Sequence, residues 1–270
     1  MYLSGFSGGS RLACAIASLT NKFSGVVACG AGFPNESQYR PSLQDYAYVG
    51  VVGDRDMNYR EMHNNKGFME IMNFNYTLIT YEGDHSWPPS EEIIRAFDWL
   101  YLQKLSKTNS AETDSLLPIY TSEYQKIASL KVEGKLLRVS EQYERLINGF
   151  GSFFTVDSLT VQQKELLTSK GYKKQEVAFS NILKLEQKYA NKYIPRIQSD
   201  LEKPLKVNFG WWEKEAKKLD ALYAKDDNEI QKMVYRIKFD LFVRAYVKRN
   251  SVNREQNLLA ERFIKLFYPN

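Results

Sequence analysis

Short apolar segments alternate with longer amphipathic segments over residues 1–105. The apolar segments are continuous, which is typical of parallel strands that are buried on both faces of a sheet. Their alternation with helical patterns indicates βαβ units. The pattern therefore predicts a parallel sheet of about four strands, which are Met1–Leu3, Gly25–Cys29, Tyr48–Val52 and Tyr76–Tyr81.

Three amphipathic segments of this region are predicted to be helices. The first two cover Arg11–Leu19 and Asn58–Met72. The third begins at Ser90, which suits the N-cap position, and Glu91 and Glu92 would lie in its first turn, where acidic side chains are favourable. The side of this helix that faces the core is predicted to consist of Ile93, Ile94, Phe97, Leu100 and Tyr101.

A second region is predicted to be helical throughout. We assign residues 1–107 to the α/β domain, residues 108–118 to a polar linker, and residues 119–270 to an all-α module. Apolar side chains recur there at helical spacing, and successive helices of this kind predict an antiparallel array. Pro195 is expected to bend one of them. The stripes begin at Leu136, Ile182, Trp212, Ile230 and Leu258.

The charge is distributed unevenly along the 270 residues. Residues 1–100 contain seven Lys and Arg against eleven Asp and Glu, whereas the remainder contains thirty against twenty-one. Because these charges alternate in sign, we interpret the basic second region as a solvated helix surface. The sequence contains no metal-ligand spacing, phosphate loop or dinucleotide motif, so it predicts neither a cofactor nor a nucleic-acid partner.

Targeting and redox features are sparse. No segment is long and apolar enough to predict a membrane span, and no secretory signal is evident, so the sequence does not indicate a compartment. The two cysteines, Cys14 and Cys29, occur in apolar surroundings and are predicted to be buried free thiols.

A candidate catalytic serine occurs where the first strand meets the first helix. The segment "GFSGG" places Ser7 in a G-x-S-x-G pattern, which suits a strained turn that exposes a nucleophile. Gly5 and Gly9 are expected to let the strand and the helix pass closely without Cβ clashes. Taken alone, the pattern is equally compatible with a glycine-rich turn that contains an incidental serine.

An acidic loop and a histidine loop follow the third and fourth strands. The acidic loop is "GDRDMNYREM", and the histidine loop is "EGDHSWPP", which contains His85. Because parallel strands end at the same edge of a sheet, the three loops are expected to lie close together. The order serine, aspartate, histidine is the one expected of the α/β-hydrolase fold.

These residues make the region resemble the carboxyl half of an α/β-hydrolase, with bacterial serine esterases as the nearest likeness. The resemblance implies that Ser7 is the nucleophile, His85 the general base, and Asp56 the acid that orients the histidine. The backbone N–H of Gly8 would stabilise the oxyanion. Asp54 is the alternative acid.

Two other ionisable residues near these loops receive no catalytic role. Asp84 is expected to be a loop-capping or solvated carboxylate. His63 is expected to be a surface residue or a satisfied core residue.

The same resemblance implies that about four strands are missing before the nucleophile turn. A second oxyanion donor would be missing with them, so we expect weak esterase activity, lowered on the order of 10²–10³-fold. The edge of the first strand would also be exposed. Only a short loop, 30–47, follows the second strand, so a lipase-type lid and a large lipid substrate are not expected.

The predicted function is hydrolysis of a small ester through an acyl-enzyme intermediate. A serine peptidase would use the same residues, and a non-catalytic interaction module with a hydrolase remnant is a further alternative. The helical module could bind a protein partner. Its terminal "NLLAERFIKLFYPN" resembles the second helix of a tetratricopeptide-like repeat, although no repeat period is evident.

Overall fold

Four parallel strands form one sheet in the order β1-β2-β3-β4. The structure, a computed structural model, describes residues 1–41, 45–108 and 113–268. The strands are β1 (Tyr2–Phe6), β2 (Gly25–Cys29), β3 (Ala47–Gly53) and β4 (Tyr76–Tyr81). The predicted class, a parallel sheet followed by a helical region, is confirmed. Strand β1 extends three residues beyond its predicted end, because backbone pairing of Gly5 with Ala28 and of Phe6 with Cys29 continues the ladder past Leu3.

The helices that follow the strands enclose the sheet from both faces. Their bounds are α1 (Gly8–Thr20), α2 (Tyr59–Ile71) and α3 (Ser90–Thr108). Side chains of α1 and α2, including Cys14 and Met69, pack with Val26 and Ala28 on one face. Trp99 and other α3 side chains pack on the opposite face. Because both faces are covered, the strands are apolar throughout, as their sequences indicated. Both cysteines are free and buried.

The predicted core-facing side of α3 is largely wrong. Of the five residues assigned to it, Leu100 is buried, but Ile94, Phe97 and Tyr101 are exposed. The buried side is formed instead by Ala96, Trp99, Leu100, Leu102 and Leu105. Apolar residues occur around most of the circumference of this helix, so periodicity alone could not select the buried side.

Further helices belong to the same compact unit as the sheet, which spans Met1–Val177. They are α4 (Thr113–Val132), α5 (Leu136–Phe150) and α6 (Asp157–Thr168). Tyr143, Leu146 and Phe150 of α5 are fully buried in a core with Leu102 and Leu105 of α3. Of the predicted linker, residues 109–112 lie outside the described residues, and residues 113–118 belong to α4.

The second compact unit spans Ala178–Asn270. The long helix α7 (Lys170–Glu202) continues through Pro195, and α8 (Phe209–Tyr223), α9 (Asn228–Tyr246) and α10 (Arg254–Phe267) follow it. Its core is rich in aromatic side chains and includes Tyr193, Trp212, Phe263 and Phe267. Among the described residues, none of the helices combines the length and the apolar character needed to cross a membrane.

A buried carboxylate on α8 is predicted to make the stability of this unit depend on pH. Glu215 pairs with Lys192 and Lys218, at Oε–Nζ distances of 2.5 and 2.8 Å, and accepts a hydrogen bond from Tyr193. Burial raises the pKa of Glu215, but these donors outweigh burial and lower it from 4.5 to about 2. The resulting stabilisation is present above the unfolded-state pKa and is lost as the pH falls from about 4.5 towards about 2.

The expected size of this effect is about 1–2 kcal/mol, because the two lysines are substantially solvated and their attraction is screened. Urea unfolding of the wild type and of Glu215→Gln, at about pH 6 and about pH 3, measures it. The wild type should lose more stability between these values than the variant does. Glu213→Gln, which changes an exposed carboxylate on the same helix, is the control. A parallel loss in the wild type and Glu215→Gln would contradict the prediction.

Candidate active site

Three polar side chains meet at the carboxyl edge of the sheet. His85 Nε2 lies 2.9 Å from Ser7 Oγ, and His85 Nδ1 lies 2.8 Å from Asp56 Oδ2. Ser7 follows β1, Asp56 follows β3 and His85 follows β4. The imidazole therefore connects the hydroxyl and the carboxylate in one hydrogen-bonded chain.

The turn that carries Ser7 has a strained backbone. Ser7 has a φ of 54° and a ψ of −117°, which a residue with a Cβ adopts only at an energetic cost. Its N–H donates to the carbonyl of Cys29 at 2.9 Å, so pairing with β2 continues into the turn. Helix α1 begins immediately afterwards at Gly8, whose N–H is among those without an intrahelical acceptor.

The two glycines that flank this turn differ in what requires them. A Cβ at Gly5 would lie 2.3 Å from the carbonyl oxygen of Gly9, so the strand and the helix touch at this point. A Cβ at Gly9 would meet nothing within 4 Å. The expectation that both positions must lack a side chain is therefore correct for Gly5 and wrong for Gly9, where the backbone makes the close contact.

Asp56 is fully buried and is held by donors on both carboxylate oxygens. Its Oδ2 faces His85, and its Oδ1 accepts the backbone N–H of Asn58 at 2.8 Å. Burial raises the pKa of Asp56, and the hydrogen bonds from His85 and Asn58 act in the opposite direction without reversing the shift. These bonds partly compensate the ionised carboxylate for its lost hydration.

Asp54, the alternative acid, is also buried but has different contacts. It pairs with Arg138 of α5 at an Oδ2–Nη2 distance of 2.9 Å, and its Oδ1 lies 3.3 Å from the N–H of Gly83. The backbone N–H of Arg55 donates to the carbonyl of Gly83 at 2.8 Å. The acidic loop and the histidine loop are therefore joined directly through Gly83.

The other ionisable residues singled out in the sequence have local contacts. Asp84 accepts a hydrogen bond from the hydroxyl of Ser86 at 2.9 Å, which is a contact within the histidine loop. The ring of His63 lies against that of Tyr59, with centroids 4.4 Å apart.

Aromatic rings border the imidazole. The ring of Phe6 lies 4.8 Å from that of His85 and 5.5 Å from that of Trp87. Trp87 is largely exposed, so this border offers an apolar surface next to Ser7. The role of Phe6 was missed in the sequence, although its position directly before Ser7 was the available signal.

Asn58 is another residue that sequence reasoning did not single out. Besides its backbone bond to Asp56, its side-chain amide donates to the carbonyl of Gly30 at 2.7 Å. Gly30 has a φ of 63°, and a Cβ there would lie 2.9 Å from Asp56 Oδ2. The loop after β2 therefore approaches the acid closely, and glycine is required for that approach. Residues 42–44 of this loop lie outside the described residues.

Within the described ranges, no group of three or more His, Cys, Asp or Glu side chains is arranged to hold a metal ion. The fold supports an α/β class with four parallel strands. The more specific likeness to α/β-hydrolases rests on the motifs and on the geometry of the three loops. Comparison of the chain with protein-family models, with curated proteins and with solved structures finds no match.

Proposed function

We propose that the chain is a serine hydrolase of the carboxylesterase type, which cleaves a small ester through an acyl-enzyme intermediate. One observation carries the proposal: the continuous hydrogen-bonded chain from Ser7 through His85 to the buried Asp56. A nucleophile, a base within hydrogen-bond reach and a third group that orients the base are what acyl transfer requires. The strained backbone at Ser7 adds independent support.

In the acylation step, Ser7 Oγ attacks the ester carbonyl carbon. Asp56 holds the proton on His85 Nδ1, which leaves Nε2 able to accept the hydroxyl proton as the new C–O bond forms. The imidazolium that results is stabilised by the Asp56 carboxylate. Because this carboxylate is buried, its attraction for the positive ring is weakly screened.

Collapse of the tetrahedral intermediate releases the alcohol. His85 Nε2 returns its proton to the leaving oxygen, and the acyl group stays on Ser7. A water molecule then attacks the acyl carbon while His85 accepts one of its protons. The carboxylic acid departs, Ser7 recovers its proton, and the residues return to their starting state.

The oxyanion that forms in both steps faces the start of α1 in this proposal. The N–H of Gly8 has no intrahelical acceptor and follows the nucleophile directly, so it can donate to the developing charge. The positive end of the helix dipole acts in the same direction. The apolar surface of Phe6 and Trp87 would contact the acyl or alcohol group of the ester.

The test is covalent labelling of the purified chain with a fluorophosphonate, followed by peptide mass spectrometry. A phosphonate needs only one turnover, so it reports on the nucleophile even where ester turnover is slow. We expect a single adduct on the peptide that contains Ser7. Heat-denatured protein is the control, because an unfolded serine lacks the neighbouring imidazole and should not react.

The alternatives give different results in the same experiment. An interaction module with a hydrolase remnant would give no adduct on the folded chain, and this result would overturn the proposal. A serine peptidase would be labelled as well. It is separated by turnover, because the proposed esterase should release p-nitrophenol from p-nitrophenyl acetate and leave short peptide amides uncleaved.

A further inference from the structure

The segment that follows β2, residues 30–33, is fixed by side chains at every residue. Its four bonds each join one backbone group to one side chain from α1 or from the region at the start of α2. The bonds are Asn58 Nδ2 to Gly30 O (2.7 Å), Ser10 Oγ to Ala31 O (2.6 Å), Gly32 N to Glu61 Oε1 (3.1 Å) and Arg11 Nη1 to Phe33 O (2.7 Å).

Two of these side chains also bind each other. Arg11 of α1 donates two hydrogen bonds to the carboxylate of Glu61 of α2, at 2.8 and 2.7 Å. Burial lowers the pKa of Arg11, but the bond and the charge of Glu61 outweigh it and leave the pKa raised. A bidentate pair of this kind fixes orientation as well as distance.

The pair connects the two loops that carry the candidate nucleophile and acid. The N–H of Arg11 donates to the carbonyl of Ser7 at 3.2 Å, so Arg11 lies in the first turn after the serine. Glu61 lies in the first turn of α2, and the N–H of Tyr59 at the start of this helix donates to the carbonyl of Asp56 at 2.9 Å. A displacement between Arg11 and Glu61 would therefore be transmitted to both loops.

We propose that Arg11 and Glu61 are positioning residues that hold the Ser7 turn and the Asp56 loop at the separation that the imidazole must bridge. This inference rests on the proposed serine-hydrolase function. Neither residue contacts Ser7 Oγ or the imidazole in the described structure, so each acts through the backbone. Segment 30–33 is the rigid part between them, since Glu61 binds Gly32 and Arg11 binds Phe33.

The experiment measures the second-order rate of fluorophosphonate labelling at Ser7, together with kcat and KM for p-nitrophenyl acetate. Arg11→Met and Glu61→Leu are each expected to lower the labelling rate and kcat by about 10–10²-fold, because small displacements of reacting groups are costly. KM should change little, since the residues do not line the proposed ester surface. Glu61→Gln keeps an acceptor for Gly32 and should lose less.

The matched control is Lys66→Met. Lys66 pairs with Glu144 at 2.8 Å, and its exposure resembles that of Arg11, yet the pair makes no bond to segment 30–33. Its loss should leave the labelling rate within about twofold of wild type. Circular dichroism and melting temperature, recorded for each variant, separate a displaced site from an unfolded chain.

The double substitution Arg11→Glu with Glu61→Arg gives a sharper test. It restores an ion pair but removes the donor to Phe33 and the acceptor for Gly32, so labelling should stay slow. Recovery to wild-type rates would overturn the inference, because the ion pair alone would then suffice. Wild-type rates in Arg11→Met would overturn it too. Absence of labelling in the wild type would instead remove the proposed function, and the inference with it.

Discussion

Replacing Asp56 by asparagine is expected to lower kcat/KM for p-nitrophenyl acetate by about 10⁴-fold, as loss of the orienting acid does in other serine hydrolases. The amide that replaces the carboxylate can donate to His85 Nδ1, which favours the imidazole tautomer with its proton on Nε2. That tautomer cannot accept the proton of Ser7. The amide also cannot stabilise the imidazolium that forms during attack.

Asp54→Asn is the matched variant for this measurement. Asp54 lies in the same loop and is buried to a similar degree, but its carboxylate pairs with Arg138 of α5. We expect its activity to stay within about tenfold of wild type, while the free energy of unfolding falls by about 1–3 kcal/mol from the weakened charged hydrogen bonds. If Asp54→Asn lost the larger share of activity, the acid would be Asp54 and the proposed assignment would be wrong.

The strands could be predicted because each is a continuous apolar run. A parallel sheet that is covered on both faces leaves that signature in the sequence, and β2 and β4 begin and end where the pattern indicated. The second half of β1 could not be found in this way. Ser4 and Gly5 interrupt the apolar pattern, and only the backbone pairing with β2 shows that the strand continues to Phe6.

The candidate site could be anticipated from the order of its loops, because topology brings the ends of parallel strands to one edge. The partners of its residues could not. Arg11 and Glu61 occur on helices where charged side chains normally face solvent, and their pairing depends on the path of segment 30–33. No periodicity encodes that path. The buried side of α3 was missed for a different reason, since its apolar residues allowed more than one orientation.

Gly5→Ala is expected to displace the nucleophile turn and to lower the fluorophosphonate labelling rate of Ser7 by about 10²-fold, the cost of a shift of about 1 Å at a reacting group. The new Cβ would lie 2.3 Å from the carbonyl oxygen of Gly9 and 2.7 Å from the N–H nitrogen of Ser10. Both are backbone atoms at the start of α1, so no side-chain rotation relieves the clash. The strand and the helix must separate, and Ser7 is the residue that joins them.

Gly9→Ala tests whether this effect belongs to the close contact or to glycine content in general. A Cβ at Gly9 meets nothing within 4 Å, and alanine favours a helical position by up to about 1 kcal/mol. We expect Gly9→Ala to label at a rate near wild type and to melt at an equal or higher temperature, whereas Gly5→Ala should lose about 1–3 kcal/mol. Equal labelling of the two variants would show that the strand-to-helix contact at Gly5 does not set the position of Ser7.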